Sequence, residues 1–109
     1  MAELVTTGTW MVKPGQEVAF TEAWAAFAEW ASSMPGARAL RLGRDTGDPQ
    51  RYVSYGPWAD AVSVREWKGS PEFRARIGRV LQYVDDFRPA ELDVVATAED
   101  GTSALTLPA

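Results

Sequence analysis

The chain contains no cysteine, no histidine and no asparagine. Without cysteine there are no disulfides, no thiolate metal sites and no cysteine nucleophile. Without histidine, the commonest transition-metal ligand and the commonest general base near neutral pH are missing, so most hydrolytic and haem-ligating schemes lose their usual residue. Chemistry must rest on carboxylates, Tyr, Trp, Arg, Lys or a bound molecule. Positive charge is scarce as well: 11 Lys and Arg stand against 15 Asp and Glu, a formal net charge of -4. The basic residues are dispersed, which argues against a nucleic-acid surface, because neutralising phosphates needs clustered Lys and Arg. No apolar run approaches the roughly 20 residues of a membrane span, and Met1-Ala2-Glu3-Leu4 lacks a charged-then-apolar leader pattern. The expectation is a cytoplasmic protein with neither a membrane nor a nucleic-acid partner.

Aromatic residues, by contrast, are plentiful, with five tryptophans among 109 residues. Length and composition suit one globular domain, with a core small enough that partner subunits often complete it. Leu4 to Val12 is rich in β-branched and aromatic residues and ends at the Lys13-Pro14-Gly15 turn, so it reads as a strand. Apolar residues stand at both of its parities, Leu4, Trp10 and Val12 against Val5 and Met11, as expected of a strand covered on both faces. Gln16 to Met34 is the first helix, with Phe20, Ala23, Trp24, Phe27, Ala31 and Met34 on one stripe. Pro35-Gly36 ends it. Ala37 to Gly43 reads as strand two and Arg51 to Gly56 as strand three, a hairpin across the Asp45 to Pro49 loop.

Asp60 is placed to cap a short helix carrying Ala61, Val64 and Trp67, and Lys68-Gly69 breaks it. Ser70-Pro71-Glu72 then opens a longer helix: serine caps the first turn, proline is tolerated at its first position, and the carboxylate suits the dipole. Phe73, Ile77, Val80, Leu81, Val84 and Phe87 recur at steps of three and four, which predicts a single helical face as far as Phe87. Glu91 to Ala98 alternates as a last strand. The domain is expected to end at residue 98, leaving residues 99–109 as a tail, loose unless a partner subunit holds it. The order strand, helix, strand, strand, helix, strand is the ferredoxin-like βαββαβ arrangement of α+β class, a four-stranded antiparallel sheet with helices on one face. A second copy is the simplest cover for the other face, giving a homodimer.

Strand one ending in Val12-Lys13-Pro14-Gly15, the helix with Phe20 and Trp24, the Pro35-Gly36 break, and the run from Trp58 through Trp67 to Ser70-Pro71-Glu72-Phe73 together resemble the antibiotic biosynthesis monooxygenase superfamily, of dimeric α+β barrel fold. The resemblance covers about residues 4 to 98. That superfamily includes cofactor-free oxygenases of aromatic polyketides and quinols, haem-degrading enzymes, and members with no known activity, and a shared fold does not carry a shared reaction. The haem-degrading relatives rely on an asparagine in strand one, a tryptophan before the second long helix and a histidine within it. The matching positions here are Gly8, Trp67 and Ile77, of which the tryptophan alone is kept, so haem degradation is not expected. The cofactor-free oxygenases hold an electron-rich phenol or quinol in an aromatic cavity, where it is deprotonated and its anion reacts with oxygen. Their polar groups are commonly Asn, Trp, Tyr and Arg, of which this chain lacks the asparagine.

The resemblance therefore implies no metal and no cofactor, and an aromatic small molecule as ligand. The candidates for binding it are Trp67, Trp58, Trp10, Tyr52, Tyr55 and Arg41; no residue is singled out as catalytic. Core packing is the commoner duty for these tryptophans, Trp24 lying on the helix stripe and Trp58 and Trp67 bracketing the short helix. Tyr52 and Tyr55 differ in parity on one strand, as do Arg38 and Arg41 on another, so each pair can send one member inward. An inward arginine would stabilise an enolate or phenolate. Two function classes stay open: a cofactor-independent monooxygenase of an aromatic phenol, quinol or polyketide, and a non-catalytic small-molecule-binding or assembly protein on the same fold.

Overall fold

The computed structural model describes residues 3–106. Its frame is a four-stranded antiparallel sheet in which β1 (Leu4–Val12) is paired on both sides, with β3 (Arg51–Trp58) and with β4 (Val84–Asp93), while β2 (Arg41–Arg44) extends the sheet beyond β3. Between these strands run α1 (Glu17–Ser32), α2 (Ala61–Gly69) and α3 (Pro71–Leu81). This is the expected ferredoxin-like α+β topology. Burial alternates along β1, so Leu4, Thr6, Trp10 and Val12 turn to the helices and Val5, Thr7, Thr9 and Met11 to the open face. Among the described residues no helix is long and apolar enough to cross a membrane.

Local signals act as expected at the helix starts. The Asp60 carboxylate accepts the Ser63 N–H at 2.7 Å, and the Ser70 hydroxyl accepts the Phe73 N–H at 3.1 Å with Pro71 in the first turn of α3. Strand two is shorter than expected. Ala37 makes one isolated bridge to Trp58, and regular pairing begins only at Arg41, because the chain before it crosses over Gly56, where any side chain would collide with Leu40.

The longer helix also corrects the sequence reading. α3 ends at Leu81, and Val84 and Phe87 belong to β4 rather than to the helical stripe. Met11 is opposite Asp86 and Val12 opposite Val84, so Asp85 is the extra residue of a bulge. The bulge puts Val84 and Phe87 on one face at a spacing of three, imitating helical periodicity. The strand expected over Glu91 to Ala98 is divided in the same way: β4 ends at Asp93, and β5 (Ala96–Glu99) pairs with β6 (Thr102–Leu105) in a separate hairpin. Asp100 and Gly101 both have positive φ, 50° and 76°, the two-residue turn whose twist matches paired strands. The chain after Ala98, expected as a loose tail, turns back as β6, with every residue of both short strands exposed.

The core on the helix face is aromatic. Trp10 lies in stacked contact with Phe87, ring centroids 3.9 Å apart, and in tilted contact with Phe20 at 5.5 Å. Gly8 makes that stack fit: a Cβ there would stand 2.9 Å from Phe87 Cε1, 2.9 Å from Ser54 Oγ and 3.0 Å from Trp10 Nε1. Two predictions follow from these local arrangements. Gly8→Ala is expected to destabilise the fold by about 1–3 kcal/mol through overpacking, read as a lower denaturation midpoint; an unchanged midpoint would show that the stack has slack. The Ser63 backbone N–H holds the Asp60 carboxyl below the ordinary aspartate range. A carboxyl with a depressed folded pKa adds stability above its unfolded pKa and loses it as the pH falls through the folded value. Asp60→Asn, which keeps a good cap, is therefore expected to lose less thermal stability between neutral and strongly acidic pH than the wild type, as measured by paired melting curves.

Candidate functional site

A cavity of about 170 Å³ lies between the helix face of the sheet and the three helices, with Trp10, Trp24, Phe27, Trp67, Phe73 and Phe87 among its walls. Each element brings its share for a plain reason. β1 and β4 present Trp10 and Phe87 as cross-strand partners, and β3 adds Ser54 opposite Gly8. From α1 come Trp24 and Phe27, three positions apart on the apolar stripe. The junction of α2 and α3 supplies Trp67, Lys68, Phe73 and Ile77. Phe87, Ser54 and Trp10 close over the backbone of Gly8, which lines the sheet side of the cavity. Positions 8, 67 and 77 thus all line the cavity, the first from the sheet and the other two from the helices, and at position 8 even an alanine would crowd Phe87.

The three buried tryptophans differ in one respect. Trp10 Nε1 donates to Ser54 Oγ at 3.0 Å, and Trp58 Nε1 donates to Thr6 Oγ1 at 3.0 Å. Trp67 is 5% exposed, and its Nε1 is the buried side-chain polar atom that has no hydrogen-bond partner among the described residues. Its ring is held firmly: stacked on Trp58 at 4.5 Å, edge-on to Phe73 at 4.9 Å and tilted against Phe27 at 5.9 Å. A buried donor without a partner costs about 1–3 kcal/mol.

Of the six candidate binding residues, the structure brings Trp67 and Trp10 together in the cavity wall. Trp58 stands one layer behind, against Trp67, and Tyr52 is buried on the same sheet face but packs on Phe20 at 5.1 Å, outside the lining. Tyr55 reaches the wall from β3, yet alternation sends its side chain to the open face, where it is 46% exposed. Arg41 is the cross-strand partner of Tyr55 and lies on that open face too. Arg38 is exposed near Trp58 and Asp60. Trp30 is half-buried, beneath the Arg76 guanidinium, whose carbon is 5.0 Å from its ring centroid.

The cation in the cavity lining is a residue that sequence reasoning passed over. Lys68 is the one charged lining residue among those described, and its Nζ donates to Glu91 Oε2 at 3.0 Å. Thr6 and Ser54 bring hydroxyls to the lining from the helix face of the sheet. Parity supplies a signal for both: Thr6 is in step with Trp10, and Ser54 with Tyr52. The carboxyls held below their ordinary range lie elsewhere, Glu17 by the Gln50 side chain, Asp45 by the Gly47 N–H and Asp60 by the Ser63 N–H. Among the described residues no carboxylate lines the cavity, and no cluster of metal-ligating side chains forms.

The architecture recurs in solved structures. SnoaB from Streptomyces nogalater, a cofactor-independent oxygenase, superposes with a TM-score of 0.76 at 20% identity, covering 100% of each chain. A conserved protein from Methanosarcina mazei Go1 gives 0.76 at 15% identity over 84% of this chain and 92% of its own. A Pseudomonas aeruginosa protein gives 0.72 at 17% identity over 86% and 95%. At these identities the likeness is one of fold. Comparison with curated protein sequences found no match. The family model for antibiotic biosynthesis monooxygenase matches residues 4–78, a stretch that holds β1, α1, β2, β3, α2 and most of α3. The chain belongs to the antibiotic biosynthesis monooxygenase family.

Proposed function

We propose that the protein is a cytoplasmic monooxygenase that takes an aromatic phenol, quinol or polyketide into the cavity between sheet and helices and oxidises it with molecular oxygen, without metal or flavin. The observation that carries this reading is the buried, unpartnered indole N–H of Trp67 on an otherwise aromatic wall. A ring slides between aromatic faces, and its oxygen accepts the Trp67 N–H, the hydrogen bond that the wall lacks. Because the indole is pinned by Trp58 and Phe73, it is oriented before the ligand arrives. That donor stabilises negative charge on the substrate oxygen once its proton has passed to solvent water at the mouth, and the electron-rich anion then reduces oxygen, one atom of which stays in the product while the other leaves as water. The volume is close to the ~150 Å³ that holds a single benzene ring, so the outer rings of a polycycle would stand at the mouth. Family membership and the fold shared with SnoaB support the same reading.

One observation favours the second reading, a non-catalytic small-molecule-binding or assembly protein. The lining offers no carboxylate to take the substrate's proton. Oxygen uptake with a panel of hydroquinones and anthrones, metal chelated, separates the two. Turnover above the uncatalysed rate is expected; tight aromatic binding with no turnover across the panel would establish the binding protein instead. In the same assay Trp67→Phe keeps most of the aromatic area and removes the donor. It is expected to weaken ligand affinity a few-fold to about tenfold with little loss of thermal midpoint, and a lowered midpoint with unchanged affinity would retire Trp67 from the site.

The partner we propose is a second copy of the chain, seated on the open face of the sheet. Val5, Met11, Val53, Tyr55 and Leu92 share that face, with Tyr55 46% and Leu92 50% exposed. The β5–β6 hairpin, exposed throughout, has the form of an arm that a neighbouring subunit would hold. Sedimentation at micromolar concentration is expected to give a dimer, and a stable monomer would overturn the assignment.

A further inference from the structure

We propose that Lys68, in its ion pair with Glu91 at the cavity mouth, makes the site selective for aromatic ligands that carry an anionic oxygen over their neutral analogues. The inference rests on the cavity being the ligand site and adds the chemical class that it prefers. An anion entering an apolar pocket is strongly disfavoured unless a counter-charge meets it. Lys68 is the one cation in the lining among the described residues; the arginine that the sequence offered, Arg41, lies on the other face of the sheet.

The position of Lys68 suits this task. It follows Trp67 directly and stands in the last turn of α2, where the helix dipole favours a cation. Its side chain is 26% exposed, so the stem is largely covered while the head reaches the rim. Glu91, on β4 two positions beyond the lining residue Pro89, holds that head at 3.0 Å and is itself 47% exposed. Such a part-exposed pair is weak, so a ligand's anionic oxygen can replace the Glu91 carboxylate at small cost. With the ring between the aromatic walls and an oxygen on the Trp67 N–H, a second, anionic oxygen at the mouth would meet the Lys68 ammonium. Glu91 then sets how strongly the anion is preferred, because it competes for the same cation.

Calorimetric titration of 2-naphthoate and its neutral analogue 2-naphthamide into the full-length protein tests this. The wild type is expected to bind naphthoate about tenfold tighter than the amide. Lys68→Met should abolish the preference, and Lys68→Arg should retain it. Glu91→Gln, at a residue outside the lining, frees the cation and should widen the preference a few-fold. Equal binding of both probes by the wild type would overturn the proposal and leave the cavity reading standing, as would a preference that survives in Lys68→Met or does not move in Glu91→Gln. If the wild type binds neither probe, the cavity reading fails, and this selectivity with it.

Discussion

The double pairing of β1 is the constraint on which the rest of the structure depends. A buried strand has to satisfy the N–H and C=O groups on both of its edges, and β1 does so over Leu4–Val12 with β3 on one side and β4 on the other. Once both ladders form, alternation decides what every nearby side chain faces. Trp10, Tyr52, Ser54, Trp58 and Phe87 are committed to the helices, and Val5, Met11, Arg41, Tyr55 and Leu92 to the open face. Gly8 lies at the middle of this arrangement. Its missing Cβ lets Phe87 reach Trp10 and Trp10 reach Ser54.

The tryptophans show how one residue type fills different roles according to its partners. Trp10 and Trp58 close their polar edges on the hydroxyls of Ser54 and Thr6, each supplied by a neighbouring strand. Both have their polar edges satisfied within the core, although the face of Trp10 also lines the cavity. Trp67 has the same rigid aromatic surroundings, but it enters from the α2–α3 junction, and its buried N–H finds no partner among the described residues. The difference between core and site is therefore one of hydrogen-bond accounting rather than of burial, since all three rings are nearly inaccessible.

Charge around the cavity is arranged by the same geometry. In an acidic chain the inner face is nearly free of ionised groups, and the single pair at its mouth joins α2 to β4. The carboxyls held below their ordinary range, Glu17, Asp45 and Asp60, accept hydrogen bonds at turns and helix starts away from the cavity, so their role is conformational. The hairpin of β5 and β6 adds a second surface feature, a two-stranded ribbon with both faces exposed, of a kind that is marginal in water by itself.

The sequence by itself determined the elements whose signals are local. Caps at Asp60 and Ser70, the apolar stripe of α1 and the β-branched run of β1 each act within a few residues, and they suffice for the order of strands and helices. Asp100-Gly101 carries a two-residue hairpin signal that is just as local, and the reading of residues 99–109 as a tail passed over it. Tertiary structure alone decided the end of α3. Val84 and Phe87 keep helical spacing, and only the need of β1 for a partner along its second edge, met with a bulge at Asp85, turns that segment into β4. It also decided which aromatic and charged residues meet: Gly8, Trp67 and Ile77 converge, Lys68 rather than Arg41 reaches the cavity, and the Trp67 N–H stays unpartnered. These outcomes rest on strand register and on contacts between segments far apart in the chain, and no local periodicity encodes which partner a side chain will find across a sheet.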